Sequence, residues 1–137
     1  ADGYPAEIWA DTFAVNVTGP FLTVQNLLPN LQAAKAAKIA IIASKMGSDA
    51  LAQGGSYVYR ASKAAAVNLA RNLACDLSAQ GISVGAYHPG WVRTDMGGAS
   101  ADLTTVEAVA GLTRAFAGLS LKTTGCFQNY DGSDLPF

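Results

Sequence analysis

The chain has 137 residues, of which 50% are hydrophobic and 14% are charged, and its mean hydropathy is +0.22. This is enough material for one domain with a modest core, and no apolar run approaches the roughly 18 residues of a membrane-spanning helix. A net charge of -1 gives no electrostatic basis for binding nucleic acid or an anionic membrane. We therefore expect a soluble, most simply cytoplasmic protein that acts on a small molecule.

The first predicted element is a helix that begins near Pro5, because proline is favoured in the first turn of a helix. Residues 8–17 are apolar on nearly every side, which predicts burial on more than one face, some of it between subunits. The pair Gly19-Pro20 is expected to interrupt or bend the helix. Helical character continues over residues 21–28, and Pro29 is predicted to end it.

The rest of the chain alternates between short strands and helices. The apolar run Ile39–Ala43 predicts a strand buried on both faces, which is typical of a parallel sheet. Further strands are predicted at residues 82–87 and 125–130, with helices at 57–79 and from a Thr104/Glu107 capping box to about residue 118. This order favours an α/β fold with a parallel sheet. Three strands are few, and the first would have an exposed edge unless something pairs with it.

The cysteines, Cys75 and Cys126, are far apart in the sequence, and the chain has a single histidine. This set does not suggest a metal site. We expect both cysteines to be small, buried hydrophobic side chains rather than a disulfide.

Tyr59 and Lys63 are four positions apart on a predicted helix and therefore share one face of it. A phenol is a poor acid or base at neutral pH, since its unperturbed pKa is near 10. A neighbouring ammonium stabilises the phenolate and so lowers the pKa of the phenol toward the pH range in which it can transfer a proton. Tyr57 has no such partner, because position 61 is Ala. Tyr-x-x-x-Lys alone occurs often by chance, and its meaning depends on what surrounds it.

Two neighbouring features give Tyr59 and Lys63 that context. Ser44 follows the first buried strand, at the carboxyl end where open α/β sheets bind ligands. Pro89-Gly90 follows the next strand and leaves backbone groups free to approach a planar ligand. A Ser-His-Asp hydrolase using Ser44 and His88 is a weaker interpretation, because the Gly-x-Ser-x-Gly turn is missing.

Taken together, the motifs resemble the short-chain dehydrogenase/reductase family. The resemblance rests on Asn16, Ser44-x-x-Gly47, Tyr59-x-x-x-Lys63 and Pro89-Gly90-x-Val92-x-Thr94, in the family's order from one end of the chain to the other. Four longer segments are similar to the C-factor-like and sniffer-like carbonyl reductases of that family. They lie at residues 44–48, 59–65, 88–98 and 130–132.

The resemblance implies a three-layer, Rossmann-like parallel sheet and hydride transfer between NAD or NADP and a carbonyl or alcohol. Tyr59 would be the general acid/base, and Ser44 would bind the substrate oxygen. Lys63 would assist Tyr59 and hold the nicotinamide ribose, while Asn16 would support a proton-relaying water. The remaining implied contacts are with the nicotinamide (Pro89, Gly90, Val92, Thr94) and with the substrate (Trp91, Met96). The first two helices would form a homodimer or homotetramer.

The sequence departs from the family pattern in two ways. Ser44 lies 15 residues before Tyr59, slightly farther than is common, and Ser48 is the alternative. The Thr-Gly-x-x-x-Gly-x-Gly turn that cradles the cofactor pyrophosphate is also missing, as is Asn-Asn-Ala-Gly. We therefore expect the single domain, residues 1–137, to be the C-terminal catalytic portion of the fold.

Because the phosphate turn is missing, cofactor binding by this chain alone is an open question, and two alternatives to an independent enzyme remain. The chain could act without cofactor as a dimerising interaction module or be inactive. A separate chain could instead supply the missing part by pairing with the exposed strand edge.

Overall fold

The structure, a computed structural model that describes residues 4–137, is built around a three-stranded parallel sheet. Its strands are β1 (Lys38–Ile42), β2 (Ser83–His88) and β3 (Phe127–Asn129), and they lie in the order β1-β2-β3. Ile42 pairs with Tyr87, and Tyr87 pairs with Gln128. The carboxyl ends of the three strands therefore meet at one edge, and the predicted α/β fold with a parallel sheet is confirmed.

Helices cover the sheet on both faces, so the chain forms three layers. They are α1 (Ala6–Phe13), α2 (Gly19–Ala33), α3 (Tyr57–Ser78) and α4 (Thr105–Gly118), with a 3-10 turn at Lys45–Gly47. The predicted capping box opens α4: Thr104 Oγ1 accepts from the Glu107 amide, and the Glu107 carboxylate accepts from the Thr104 amide. None of the helices in residues 4–137 combines the length and hydropathy that a bilayer span requires.

The core lies between α3 and the sheet and is made largely of small side chains. Ala66, Ala70 and Ala74 of α3 are at most 3% exposed, and they pack against the fully buried Val84 and Ala86 of β2. Alanine on the helix lets its backbone come close to the strands, which fixes the position of α3 on the sheet.

The prediction that β1 is buried on both faces is wrong. Ile39 and Ile41 are 9% and 5% exposed, but Ile42 on the opposite face is 45% exposed. The reason is the position of α4, which lies over β2, where Phe116 packs edge-on against Tyr87. The same face of β1 is left largely uncovered, and β1 is also an outer strand of the sheet as described.

The first helical segment also differs from expectation. Pro29 does not end the helix, which continues to Ala33. Leu28 and Leu31 pack against the core, and this packing offsets the hydrogen bond that Pro29 cannot donate. The predicted burial of residues 8–17 is not found within one chain, since Ile8 is 46% exposed. Residues of α1 pack against α3, but Ile8 and Trp9 stay 46% and 37% exposed on its surface.

The expected interruption at Gly19-Pro20 takes the form of a π-helical turn over Ala14–Thr18. Proline has no backbone N–H, so Pro20 cannot supply the bond that a regular helix would direct to the carbonyl of Asn16. The chain widens by one residue over this turn and then resumes as α2. Asn16 thus lies at the irregular point of the helix.

The cysteine prediction is half wrong. Both thiols are free, but Cys75 is exposed. It follows Ala74 directly, and one residue along a helix turns the side chain by about 100°, away from the sheet-facing stripe of α3. Cys126 is half-buried beside Tyr87, whose hydroxyl lies 3.7 Å from Sγ.

Candidate active site

Ser44 follows β1 and occupies the carboxyl edge of the sheet as expected. It is 5% exposed, and its Oγ accepts a hydrogen bond from the Met46 amide at 3.1 Å, which caps the 3-10 turn. A hydroxyl that accepts in this way keeps its own hydrogen for another acceptor. Ser48, the alternative, caps the next turn through the Leu51 amide and lies outside the cavity that Ser44 lines.

Gly47 holds this turn against α3. A Cβ at this position would lie 2.5 Å from the carbonyl carbon of Lys63 and 2.7 Å from the Ala64 nitrogen. Both are backbone atoms of a buried helix, which cannot move aside independently. The absence of a side chain at Gly47 therefore sets the distance between the Ser44 turn and the helix that carries Tyr59.

Tyr59 lies in the first turn of α3 and lines the same cavity as Ser44. Lys63 follows one turn later, and its Nζ is 5.7 Å from the centre of the Tyr59 ring. Burial lowers the pKa of Lys63 from its usual value. Its ammonium donates to the carbonyl of Ile42 at 3.2 Å, and Lys63 is not among the residues that line the cavity. Tyr57 is 54% exposed and also lies outside the cavity.

Asn16 reaches the Tyr59 turn through a residue that the sequence did not single out. Its Nδ2 donates to Ser62 Oγ at 3.0 Å, and Ser62 Oγ donates to the Tyr59 carbonyl at 2.9 Å. Ser62 is fully buried, so this chain of bonds ties the π turn to the first turn of α3. Asn16 does not line the cavity. Only the position of Ser62 within Tyr59-x-x-x-Lys63 could have drawn attention to it.

The segment after β2 forms the opposite wall. Gly90 has φ +86°, and a Cβ there would lie 2.4 Å from Leu103 Cδ1, so only glycine allows the chain to pass. The predicted nicotinamide and substrate contacts all line the cavity: Pro89, Gly90, Trp91, Val92, Thr94 and Met96. Trp91 is held by a bond from Nε1 to the Gly97 carbonyl at 2.9 Å, whereas Met96 is 88% exposed.

The cavity has a volume of about 810 Å³, within the range of ordinary ligand sites. One side is formed by α4, which the sequence did not assign to the site, through Thr105, Ala108, Val109 and Leu112. Its walls are mainly apolar, with hydroxyl groups of Ser44 and Tyr59 on one side. Such a cavity can hold an apolar molecule of ordinary ligand size, and its lining includes two hydroxyl-bearing side chains.

His88 ends β2 at the floor of the cavity and is 8% exposed. Burial and, to a smaller extent, the charge of Lys45 lower the pKa of His88 to about 4, so its imidazole is neutral at pH 7. Ser44 Oγ bonds with Met46 rather than with His88. No Ser-His hydrogen bond of the hydrolase type forms.

Comparison with known protein families gives a match to the short chain dehydrogenase model over residues 2–103. The C-signal of Myxococcus xanthus is 39% identical over 129 residues, covering 93% of this chain and 78% of the relative. The 1-hydroxy-2-glutathionyl-2-methyl-3-butene dehydrogenase of Rhodococcus sp. (strain AD45) is 39% identical over 126 residues, covering 88% of this chain and 55% of the relative.

Solved structures of similar fold include two carbonyl reductases. The carbonyl reductase Sniffer of D. melanogaster superposes with a TM-score of 0.92 and 31% identity over 98% of this chain. The NADPH-bound carbonyl reductase from chicken fatty liver superposes with a TM-score of 0.90 and 33% identity over 99% of this chain. The chain spans 59% and 60% of the length of these two proteins.

Proposed function

The chain belongs to the short-chain dehydrogenase family, and from that premise we propose that it carries the reducing site of an NAD(P)H-dependent carbonyl reductase. The observation that carries the proposal is the cavity at the carboxyl edge of the sheet, which Ser44 and Tyr59 line together with the turn at Pro89-Gly90. The similar NADPH-bound carbonyl reductase supports the choice of reaction.

The proposed chemistry follows from the hydrogen atom and lone pairs that each hydroxyl group has available for a substrate. Ser44 Oγ uses a lone pair to cap its turn, so its hydrogen can be donated to a carbonyl oxygen where negative charge develops. Tyr59 donates to the same oxygen and transfers its proton as the alcohol forms; in the reverse reaction its phenolate removes that proton. Lys63 supplies positive charge next to the Tyr59 ring and favours the phenolate.

Asn16 and Ser62 position Tyr59 rather than touch the substrate. The bonds from Asn16 to Ser62 and from Ser62 to the Tyr59 carbonyl hold the first turn of α3 against the π turn. We propose that the carbonyl of Asn16, which Pro20 cannot satisfy in the regular helical way, holds a water that passes protons toward Lys63.

The residues present fit the nicotinamide end of the cofactor. Pro89, Gly90, Val92 and Thr94 all line the cavity beside Ser44 and Tyr59, and its volume of about 810 Å³ can hold a nicotinamide ring together with a substrate. A nicotinamide bound there would supply the hydride for carbonyl reduction. Trp91 and Met96 would then cover the substrate and exclude water. The sequence contains no Gly-rich turn of the kind that cradles a pyrophosphate, so the proposal concerns the nicotinamide end of the cofactor.

Exposed apolar side chains on the first helices support self-association. Trp9, Phe21, Leu22 and Leu27 are between 37% and 49% exposed. A surface of this kind is more apolar than a monomer usually leaves in water. We propose a homodimer or homotetramer that uses α1 and α2, which the measured mass in solution would test directly.

Titration of the purified chain with NADPH and with NADH tests the proposed function. Quenching of Trp91 fluorescence should saturate with one of the two cofactors, because the indole lies on the cavity wall. Since Trp9 is the second tryptophan, Trp9→Phe is the matched background variant. No binding up to millimolar concentrations of either cofactor would reject an enzyme made of this polypeptide alone and favour the cofactor-free interaction module.

A further inference from the structure

The loop between β1 and α3 forms one wall of the cavity. It comprises residues 44–56, and we call it the wall loop. Its members that line the cavity include Ser44, Lys45, Met46 and Ser56. Because Ser44 belongs to this loop and Tyr59 to the helix that follows it, any movement of the loop changes the distance between the two proposed reacting hydroxyl groups.

The hydrogen bonds of the wall loop are almost all local turns, as where the Gly47 amide donates to the Ser44 carbonyl at 2.9 Å. In the part of the chain that the structure describes, a single hydrogen bond joins residues 44–55 to a distant segment. The Ala50 amide donates to the backbone oxygen of Phe137 at 3.0 Å. This bond fixes the middle of the wall loop to the segment that follows β3.

Phe137 is itself held by two regular elements. Its ring centre lies 5.9 Å from that of Phe127, which belongs to β3 and is 2% exposed. Cζ of Arg71, from α3, lies 3.9 Å from the centre of the Phe137 ring, a cation–π contact. The Leu135 amide donates to the Phe127 carbonyl at 2.8 Å, and the Leu135 side chain packs against the core. The Phe137 ring is thus fixed relative to the sheet and to the helix that carries Tyr59.

The far end of the wall loop has little support of its own. Gly54 and Gly55 have φ +76° and +67°, and no atom lies within 4 Å of a Cβ at either position. Glycine in such open surroundings restricts the backbone very little. The wall loop is therefore held near its start by Gly47 against α3, and in its middle by Phe137 through Ala50.

We propose that Phe137 is a positioning residue for Ser44. Through the bond from Ala50 it holds the wall loop at a fixed distance from α3, and so keeps the Ser44 hydroxyl in place beside Tyr59. This inference rests on the proposed function, because it takes Ser44 as the group that binds the substrate oxygen. A shifted hydroxyl loses most where negative charge develops on that oxygen, so loss of the Phe137 ring lowers kcat more than it raises KM.

Amide hydrogen exchange tests the contact without any assay of activity. Phe137→Ala keeps the backbone oxygen but removes the ring. Exchange at Ala50, and at Met46, whose amide donates to Ser44 Oγ, should become about tenfold faster. The Ala43 amide, which is bonded within the sheet, should exchange as in the wild type, and Phe137→Trp should restore the wild-type pattern. Unchanged exchange at Met46 would overturn the proposal.

A double-mutant cycle with Ser44 shows whether Phe137 acts through that hydroxyl. With Ser44 present, Phe137→Ala should lower kcat for carbonyl reduction about tenfold. With Ser44→Ala as the background, the same change should alter kcat less than about twofold, because no Ser44 hydroxyl is left to misplace. Equal fold losses in the two backgrounds would show general damage to the fold and would overturn the proposal.

Arg71→Met tests the same contact if Phe137→Ala does not fold. The Arg71 side chain is exposed, so its replacement leaves the core in place. Loss of the cation–π contact should raise exchange at Ala50 and Met46 about twofold to fivefold, and no rise at Met46 would contradict the proposal. If the wild-type chain reduces no carbonyl compound, the proposed function fails, while the exchange rates still decide whether Phe137 holds the wall loop.

Discussion

The ammonium of Lys63 donates a hydrogen bond to the carbonyl oxygen of Ile42 across 3.2 Å, at the edge of β1 that faces away from β2. The direction follows from the same peptide unit, because the Ala43 amide donates to Tyr87 of β2 and the Ile42 carbonyl must point the opposite way. The bond anchors Lys63 beside the ring of Tyr59. The proposed acid/base residue is thus coupled to the outer edge of the sheet.

Replacing Lys63 separates its chemical role from its structural one. Lys63→Met should lower carbonyl reduction by about 100-fold or more, because the phenolate of Tyr59 loses its neighbouring positive charge. Stability should change little, since burial already disfavours the charged amine, as its lowered pKa indicates. Steady-state rates and thermal unfolding measure the two effects. Lys122→Met on the surface is the control. If the activity lost by Lys63→Met is explained by a matching fall in its midpoint of thermal unfolding, the chemical role of Lys63 is contradicted.

Gly47 tests the packing that sets the site geometry. Gly47→Ala should destabilise the fold by about 1–3 kcal/mol, since its Cβ would meet the backbone of Lys63 and Ala64. Gly118→Ala is the matched control, because no atom lies within 4 Å of a Cβ there and alanine suits the end of α4. Urea unfolding of the two variants should differ clearly in midpoint, and equal midpoints would show that the Ser44 turn does not pack closely on α3.

Much of the fold could be predicted from the sequence, because strands with continuous apolar runs and helices with caps carry local signals. The alternation of elements and the capping box at Thr104 and Glu107 are of this kind. The continuation of the helix past Pro29 could not be predicted, because it depends on the packing of Leu28 and Leu31, which is a tertiary effect. The exposure of Ile42 depends on where α4 lies, which no local pattern encodes.

In the candidate site, too, some residues could be predicted from local sequence signals and others only from the tertiary structure. The motif residues that line the cavity lie at strand ends and helix starts, where spacing along the chain fixes their positions. Ser62 was not anticipated, because a buried serine is distinguished only by its neighbours in space. The wall from α4 was missed for the same reason: Ala108 and Leu112 have the ordinary pattern of an amphipathic helix.

His88 predicts a pH dependence of stability. Its pKa is lowered to about 4 in the folded chain by burial and by Lys45, whereas the unfolded chain titrates near the ordinary value of 6.5. The unfolded state therefore binds a proton first as pH falls, so stability is fully present above about pH 6.5 and declines toward pH 4. Wild-type chain should lose more unfolding free energy between pH 7 and pH 4.5 than His88→Gln. Identical losses in urea titrations of the two proteins would show that His88 is not buried as described.

The most direct test of the central claim is the rate of NADPH-dependent or NADH-dependent carbonyl reduction by Tyr59→Phe, compared with wild type and with Tyr57→Phe. Tyr59 lines the cavity, while Tyr57 is 54% exposed and outside it, so the two variants remove a phenol hydroxyl from different sides of the same helical turn. Our account predicts that Tyr59→Phe loses about 100-fold to 10,000-fold in kcat with unchanged thermal unfolding, and that Tyr57→Phe keeps the wild-type rate. Equal rates for Tyr59→Phe and the wild type would contradict it.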